Sequence, residues 1–193
     1  MTAPSVTLRD LMPDDSALIH GWRNGEAVRA FMYTDHLISA EEHARWFAGI
    51  AGDDRRRYWI IEADGKPVGL ANLYDIDRRH GRCAWAYYLA DPSVRGAGVG
   101  SYVEFWMIEQ VFGPQGLTKL WCEVLETNEA VWRLHEKHGF VREARFRRHV
   151  VKDGQAIDVL GLGLLQEDWG TRREAMATRL VEKGFTPPSR VTQ

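Results

Sequence analysis

Between Arg95 and Ser101 the chain reads Arg95-Gly96-Ala97-Gly98-Val99-Gly100-Ser101, a turn able to hold an anion. Glycines at alternating positions remove Cβ atoms, so successive backbone N–H groups can converge on one point. The apolar run from Tyr102 to Phe112 follows directly. That places the point at a helix N-terminus, where unpaired N–H groups and the helix dipole favour negative charge. Arg95 adds a formal positive charge and a planar donor fork suited to phosphate. Spacing then narrows the ligand. A Walker loop closes on Gly-Lys-Ser/Thr, and no lysine occurs in this turn. The dinucleotide fingerprint would need glycine at 101 or 103, where the chain has Ser101 and Val103. What remains is Arg-x-x-Gly-x-Gly, read on Arg95, Gly98 and Gly100.

The elements that must position this turn are visible on either side of it. Cys83 to Ala90 (CAWAYYLA) is an aromatic, apolar run expected to be the strand that leads in. Leu120 to Val124 reads as the next strand, and a helix from Thr127-Asn128 runs through Lys137 to a left-handed stop at Gly139. Upstream, Val6–Arg9 is a short strand, Asp14 to Trp22 a helix after Pro13, and Ser39-Ala-Glu-Glu42 a capping box opening a helix to about Ile50. Asp64-Gly65 predicts a hairpin between Tyr58–Ala63 and Lys66–Tyr74, and Asp153-Gly154 a second between Val141–Val151 and Gln155–Leu165. Imperfect alternation in the last strand is expected if both of its faces are covered. A closing helix runs from Glu167 to about Lys183–Gly184, with a loose tail over residues 185–193.

Arg95-x-x-Gly98-x-Gly100 resembles the acyl-CoA-binding turn of the GCN5-related N-acetyltransferases (GNAT). Asn128…Leu134-His135-Glu136-Lys137-His138-Gly139-Phe140 is similar to the family's second CoA motif, N-x-x-A-x-x-L-Y-E-K-x-G-F. The motifs lie in the family's order, and the likeness covers roughly residues 5–166 of one domain spanning 1–193. It implies an α/β (α+β) GNAT fold, a mixed, mostly antiparallel sheet of about seven strands, with a splayed strand pair at the acyl-CoA site. It also implies acetyl-CoA as co-substrate. Backbone groups at Tyr88, Leu89 and Ala90 would bind the pantetheine amides, one N–H facing the oxyanion. Arg95, Gly96, Ala97, Gly98, Val99, Gly100 and Ser101 would hold the diphosphate, and Asn128 the pantetheine arm.

Amine acetylation needs the thioester held near a neutral amine, a donor for the developing oxyanion and a proton for the departing thiolate. Where the family has a tyrosine acid, this chain has His135. Its i,i+4 relation to Val131 aims it at the sheet, and a protonated imidazole can give a proton to a thiolate. Water is the other source of that proton. For the base, Glu126 at the end of the motif strand could act through a water, while Glu123 is expected on the opposite strand face. His43, on a helix bordering the family's acceptor site, is a further candidate.

The N-terminal helices carry the acceptor in this family. Trp22, Arg23, Arg29, Met32, Tyr33, His43 and Trp46 interleave rings with arginines, a composition suited to a flat base and a diphosphate. Spacing alone equally fits helix-core packing. With Lys152-Asp-Gly-Gln-Ala-Ile-Asp-Val159, the pattern resembles the nucleotide-sugar acetyltransferases of pseudaminic acid biosynthesis, which serve flagellin glycosylation. The acceptor that likeness implies is the 4-amino group of a UDP-linked amino-deoxy sugar. A RimJ/RimL-like protein N-terminal or small-amine (polyamine) acetyltransferase shares every CoA motif, as would a non-catalytic acyl-CoA-binding module.

Composition bounds these readings. With 25 basic and 27 acidic residues the net charge is −2, which gives no support for general nucleic-acid binding. The arginine runs 55–57 and 142–148 are expected to be solvated faces. Cys83 and Cys122 sit in predicted strands as small apolar residues, and no spacing suits a metal or a disulfide framework. Neither a signal peptide nor an apolar stretch of membrane-spanning length is seen, so no membrane partner and a cytoplasmic location are expected. Oligomeric state is left open by the sequence, a homodimer being one form it allows.

Overall fold

A computed structural model describes residues 3–189. Strand β1 (Val6–Asp10) leads through a single 3-10 turn (Pro13–Asp15) into α1 (Ser16–Asn24), α2 (Glu26–Arg29) and α3 (Ala40–Ile50). Then come β2 (Arg57–Ala63), β3 (Lys66–Asp77), β4 (Arg82–Leu89), α4 (Val99–Phe112) and β5 (Lys119–Leu125). Helix α5 (Glu129–His138), β6 (Val141–Lys152), β7 (Gln155–Leu165) and α6 (Gln166–Glu182) complete the order. The strands form one seven-stranded sheet, β1-β2-β3-β4-β5-β7-β6. Every neighbouring pair is antiparallel except β4 and β5, which run parallel.

Local chemistry explains most of these boundaries. Asp64 and Gly65 (φ 50° and 74°) turn the β2–β3 hairpin, and Asp153 and Gly154 (φ 49° and 76°) turn β6–β7. Positive φ at two successive positions matches the twist of the flanking strands, and Asp-Gly tolerates it. The Ser39 hydroxyl accepts the N–H of Glu42 (3.2 Å) at the start of α3, as the capping box predicts. Gly139 takes φ 105° at the end of α5. Helix α4 is buried nearly all round, with Val99, Val103, Phe105, Met107, Ile108 and Val111 in the main core, so it reads as a run without amphipathic period. In β7 every residue from Val159 to Leu164 is buried, in keeping with cover on both faces.

Two local expectations move. The first helix starts at Ser16 rather than Asp14, because Pro13 opens a 3-10 turn before it. Helix α2 has only four residues, too few to leave a periodic signal in the sequence. The loose tail is also too generous. Phe185 is buried beneath the α4 N-terminus, while residues 190–193 lie outside the described residues.

The feature that makes the site is the parting of β4 from β5. Only Arg82↔Lys119, Cys83↔Leu120 and Ala84↔Trp121 pair between them. Beyond Ala84 the two strands diverge. Among the described residues no helix is long and apolar enough to cross a membrane.

Candidate active site

A cleft of about 850 Å³ opens in that gap. One end is the glycine turn, where Arg95, Gly96, Gly98, Val99, Gly100 and Ser101 form the wall. Gly96 (φ 76°) and Gly98 (φ 87°) are left-handed, a conformation glycine takes without strain. The N–H groups of Arg95 and Ala97 turn back to the carbonyls of Pro92 (3.1 Å) and Val94 (3.3 Å). The first closed turn of α4 is Tyr102 N–H to Gly98 O (3.2 Å), so the amides of Val99, Gly100 and Ser101 precede the helix ladder. Ala97 does not line the cleft, in contrast to expectation, because its amide belongs to the turn. Gly98 has a second reason besides its left-handed φ. A Cβ there would meet the Phe185 ring at 2.7 Å.

The middle of the cleft is the strand gap itself. The Ala90 N–H donates to Val68 O (2.8 Å), which removes it from any ligand and corrects the expectation for that residue. In an antiparallel ladder alternate residues turn their backbone groups to opposite sides, so Leu89 and Tyr87 face the gap while Tyr88 faces β3. Tyr88 and Leu89 both line the cleft. Asn128 lines it from the far wall, at the N-cap position of α5, where its side chain makes no capping bond.

His135 sits at the floor, 3% exposed, with its ring 5.1 Å from that of Trp85. Its Nδ1 is 2.9 Å from Oε1 of Glu104, a carboxylate with no exposure at all; the same oxygen lies 3.4 Å from His138 Nδ1. Burial alone would push the imidazolium down, but the Glu104 charge, with Cys122 beside the ring, outweighs it and holds His135 up at about 10. Glu126 is elsewhere. Its carboxylate takes a bond from Arg145 Nη2 (3.0 Å), and it is not among the residues lining the cleft. Glu123 is the carboxylate that does line it, against expectation, and it accepts the Tyr33 hydroxyl at 2.7 Å. Burial first, and then Glu123, push the Tyr33 phenol well above its usual range, so Tyr33 stays a donor.

At the end expected to take the acceptor, Arg23, Val28, Met32 and Tyr33 reach the cleft, together with Ala27, Phe31, Thr34 and Tyr74, which the sequence did not single out. Trp22, Trp46 and His43 do not. Trp22 and Trp46 pack on the small core of Ile19, Ile60 and Leu70, the alternative their spacing allowed. His43 is 6% exposed, with its Nε2 2.8 Å from Ser16 O and its ring stacked on His20 at 4.9 Å. It therefore has no path to an acceptor as a base. Arg29 is turned away, donating to Asp35 O at 2.8 Å.

Residues 5–141 match the family model described as an acetyltransferase (GNAT) domain. The chain belongs to the GNAT family. It is 27% identical to the SPbeta prophage-derived N-acetyltransferase YokL of Bacillus subtilis, over 87% of this chain and 94% of that one. It is 25% identical to spermidine N(1)-acetyltransferase of Vibrio cholerae, over 88% of this chain and 98% of that protein. Acetyltransferase PseH of Campylobacter jejuni is also 25% identical, but over 68% of this chain and 80% of its own length. The crystal structure of the Vibrio cholerae spermidine enzyme with CoA and spermine superposes with a TM-score of 0.80 at 23% identity, covering 85% of this chain and 97% of that one.

This GNAT protein is therefore an acetyl-CoA-dependent N-acetyltransferase, with acetyl-CoA as its co-substrate. Its own residues fit that carrier. Free helix-start amides and Arg95 suit a diphosphate, and the strand gap suits an arm with amide groups. One fitting residue had no sequence signal. Lys183, at the C-terminal end of α6, lines the cradle beside Ser101 from more than eighty positions away.

Proposed function

We propose that the chain acetylates a small primary amine of the polyamine class, with the acceptor's ammonium facing Glu123. The observation that carries this reading is the Glu123–Tyr33 pair. Glu123 is the one carboxylate among the described residues lining the cleft, and the acceptor end around it is mostly apolar, with Ala27, Val28, Phe31, Met32 and Tyr74. An alkylammonium needs that combination of charge and methylene-compatible wall. The broader coverage by the spermidine enzyme than by PseH, at the same identity, supports it too. Arg23 is what a nucleotide sugar could use. The rings and the second arginine that such a ligand needs beside it, Trp22, Trp46 and Arg29, are instead held in helix and loop contacts.

Acetyl-CoA supplies an acetyl group activated as a thioester. The chain's residues do the rest. Glu123 first pairs with the ammonium and then accepts its proton, and the Tyr33 hydroxyl holds the carboxylate in place. The gap-facing backbone N–H of Leu89 is available to developing negative charge on oxygen. His135, kept charged by Glu104, holds a proton through the neutral range that it can donate to a departing thiolate.

The test is product detection by intact mass with spermidine, a UDP-4-amino-sugar and N-terminal peptides as acceptors. Spermidine acetylation is expected, and Glu123→Gln should lower its kcat/KM by about 100-fold with CoA affinity unchanged. Turnover confined to the UDP-sugar or the peptides overturns the polyamine reading.

A further inference from the structure

The C-terminal end of α6 is built onto the coenzyme cradle. Phe185 N–H bonds Leu180 O (3.0 Å) and Gly184 N–H bonds Val181 O (2.8 Å), with Gly184 left-handed at φ 86°. These two bonds are the Schellman pattern, which fixes the direction of the chain leaving a helix. They place the Phe185 ring, 6% exposed, against Tyr102 at 5.6 Å and over the missing Cβ of Gly98. Gly98 is the N-cap of α4. The end of one helix is therefore locked to the start of the other by a buried ring, in contact with the cradle's own glycine.

Lys183, two residues before that ring, lines the cleft with Nζ 3.4 Å from Ser101 Oγ in the first turn of α4. Two cationic side chains then border the unpaired amides of Val99, Gly100 and Ser101, Arg95 from the turn and Lys183 from α6. Dipole and formal charge act together there on a bound anion.

We infer that Lys183 is a coenzyme-binding residue, held by the Gly184–Phe185 anchor and directed at the diphosphate of CoA. The inference rests on the reading that the glycine turn binds the coenzyme, but its test separates the two. Calorimetry of wild type with CoA examines the turn, because no binding there removes that reading altogether. If wild type binds, Lys183→Met should weaken CoA by about fivefold, the scale of a charge-assisted contact reduced by solvent exposure. Lys183→Arg should restore most of the affinity. Dephospho-CoA, which keeps the diphosphate and lacks the 3′-phosphate, should lose the same factor in Lys183→Met. The salt dependence of CoA binding should flatten in that variant, a readout that a purely structural role would not move. Unchanged CoA affinity in Lys183→Met overturns the assignment. A loss seen with CoA but not with dephospho-CoA overturns the diphosphate as its target. Thermal melting of each variant distinguishes lost contact from a loosened anchor, and a fall in affinity accompanied by detachment of Phe185 from Tyr102, read as lost protection of the α4 amides without ligand, counts against direct contact.

Discussion

The His135–Glu104 pair sets the most consequential behaviour of any single residue. A histidine in place of the family's tyrosine changes what kind of acid is present. A phenol donates because it is neutral, whereas His135, the acid proposed here, is kept charged by a fully buried carboxylate. Glu104 has its other oxygen, Oε2, buried without a partner, so removing the imidazole would leave a carboxylate with little to offset it. His135→Gln preserves a donor at that place while deleting the titrating group. We expect it to lower kcat by about 100-fold with little change in CoA affinity, measured by steady-state kinetics beside calorimetry. The pair also has a pH signature. His135 is raised from 6.5 to about 10 in the folded chain, so its contribution to stability is complete below pH 6.5 and is lost as pH climbs toward 10. Denaturant unfolding across that window should show wild type losing more stability than His135→Gln. Equal slopes would mean that the imidazole is neutral in the fold.

At the scale of elements, the β6–β7 hairpin braces the wall of the cleft proposed to hold the acceptor. Lys152, buried at the end of β6, donates through Nζ to the carbonyls of Arg29 (3.1 Å) and Met32 (2.6 Å). Those carbonyls belong to α2 and the segment after it, which bring Ala27, Val28, Phe31, Met32, Tyr33 and Thr34 to the cleft. Lys152→Met keeps the length and apolar stem and removes both bonds. It should raise KM for the acceptor by about tenfold and leave KM for acetyl-CoA alone; a shift in both would place the effect in the fold rather than in this wall. The same element shows what the sequence can and cannot disclose. The Asp153-Gly154 turn was legible because it needs two successive positive φ values, and Gly139 because a helix end there needs one. The motif around Lys152 stood out, but its target could not, since the partner carbonyls lie some 120 positions away. Strand alternation alone gives the wrong face for Glu123. Where β5 leaves β4 the strand has no neighbour on that side, and Cys122, Glu123, Val124 and Leu125 all reach the cleft. Trp22 and Trp46 have spacing that fits a ligand or a core equally, and burial beside Ile19 and Ile60 decided for the core.

For the whole molecule, the sheet is two half-sheets with a narrow hinge of hydrogen bonds. Strands β1–β4 form one ladder and β5, β7 and β6 the other, joined by three parallel pairs at one end. Helix α4 packs on β1 and on β5, so the halves share a core even where they share no ladder. A carrier lying along the gap would supply contacts to both edges, and its binding energy would appear as folding stability. At a free concentration of one hundred times Kd the gain is about 2.7 kcal/mol, so the melting temperature should rise steadily with added CoA. The location of the gain is the sharper measurement. Hydrogen exchange should slow at the start of α4 and also at Tyr87, Leu89, Glu123 and Leu125, whose backbone groups turn from the β3 and β7 ladders toward the opening. Protection confined to the cradle, with the β4 and β5 edges exchanging as before, would mean that the ligand is anchored by its phosphates alone and that the gap does not hold it.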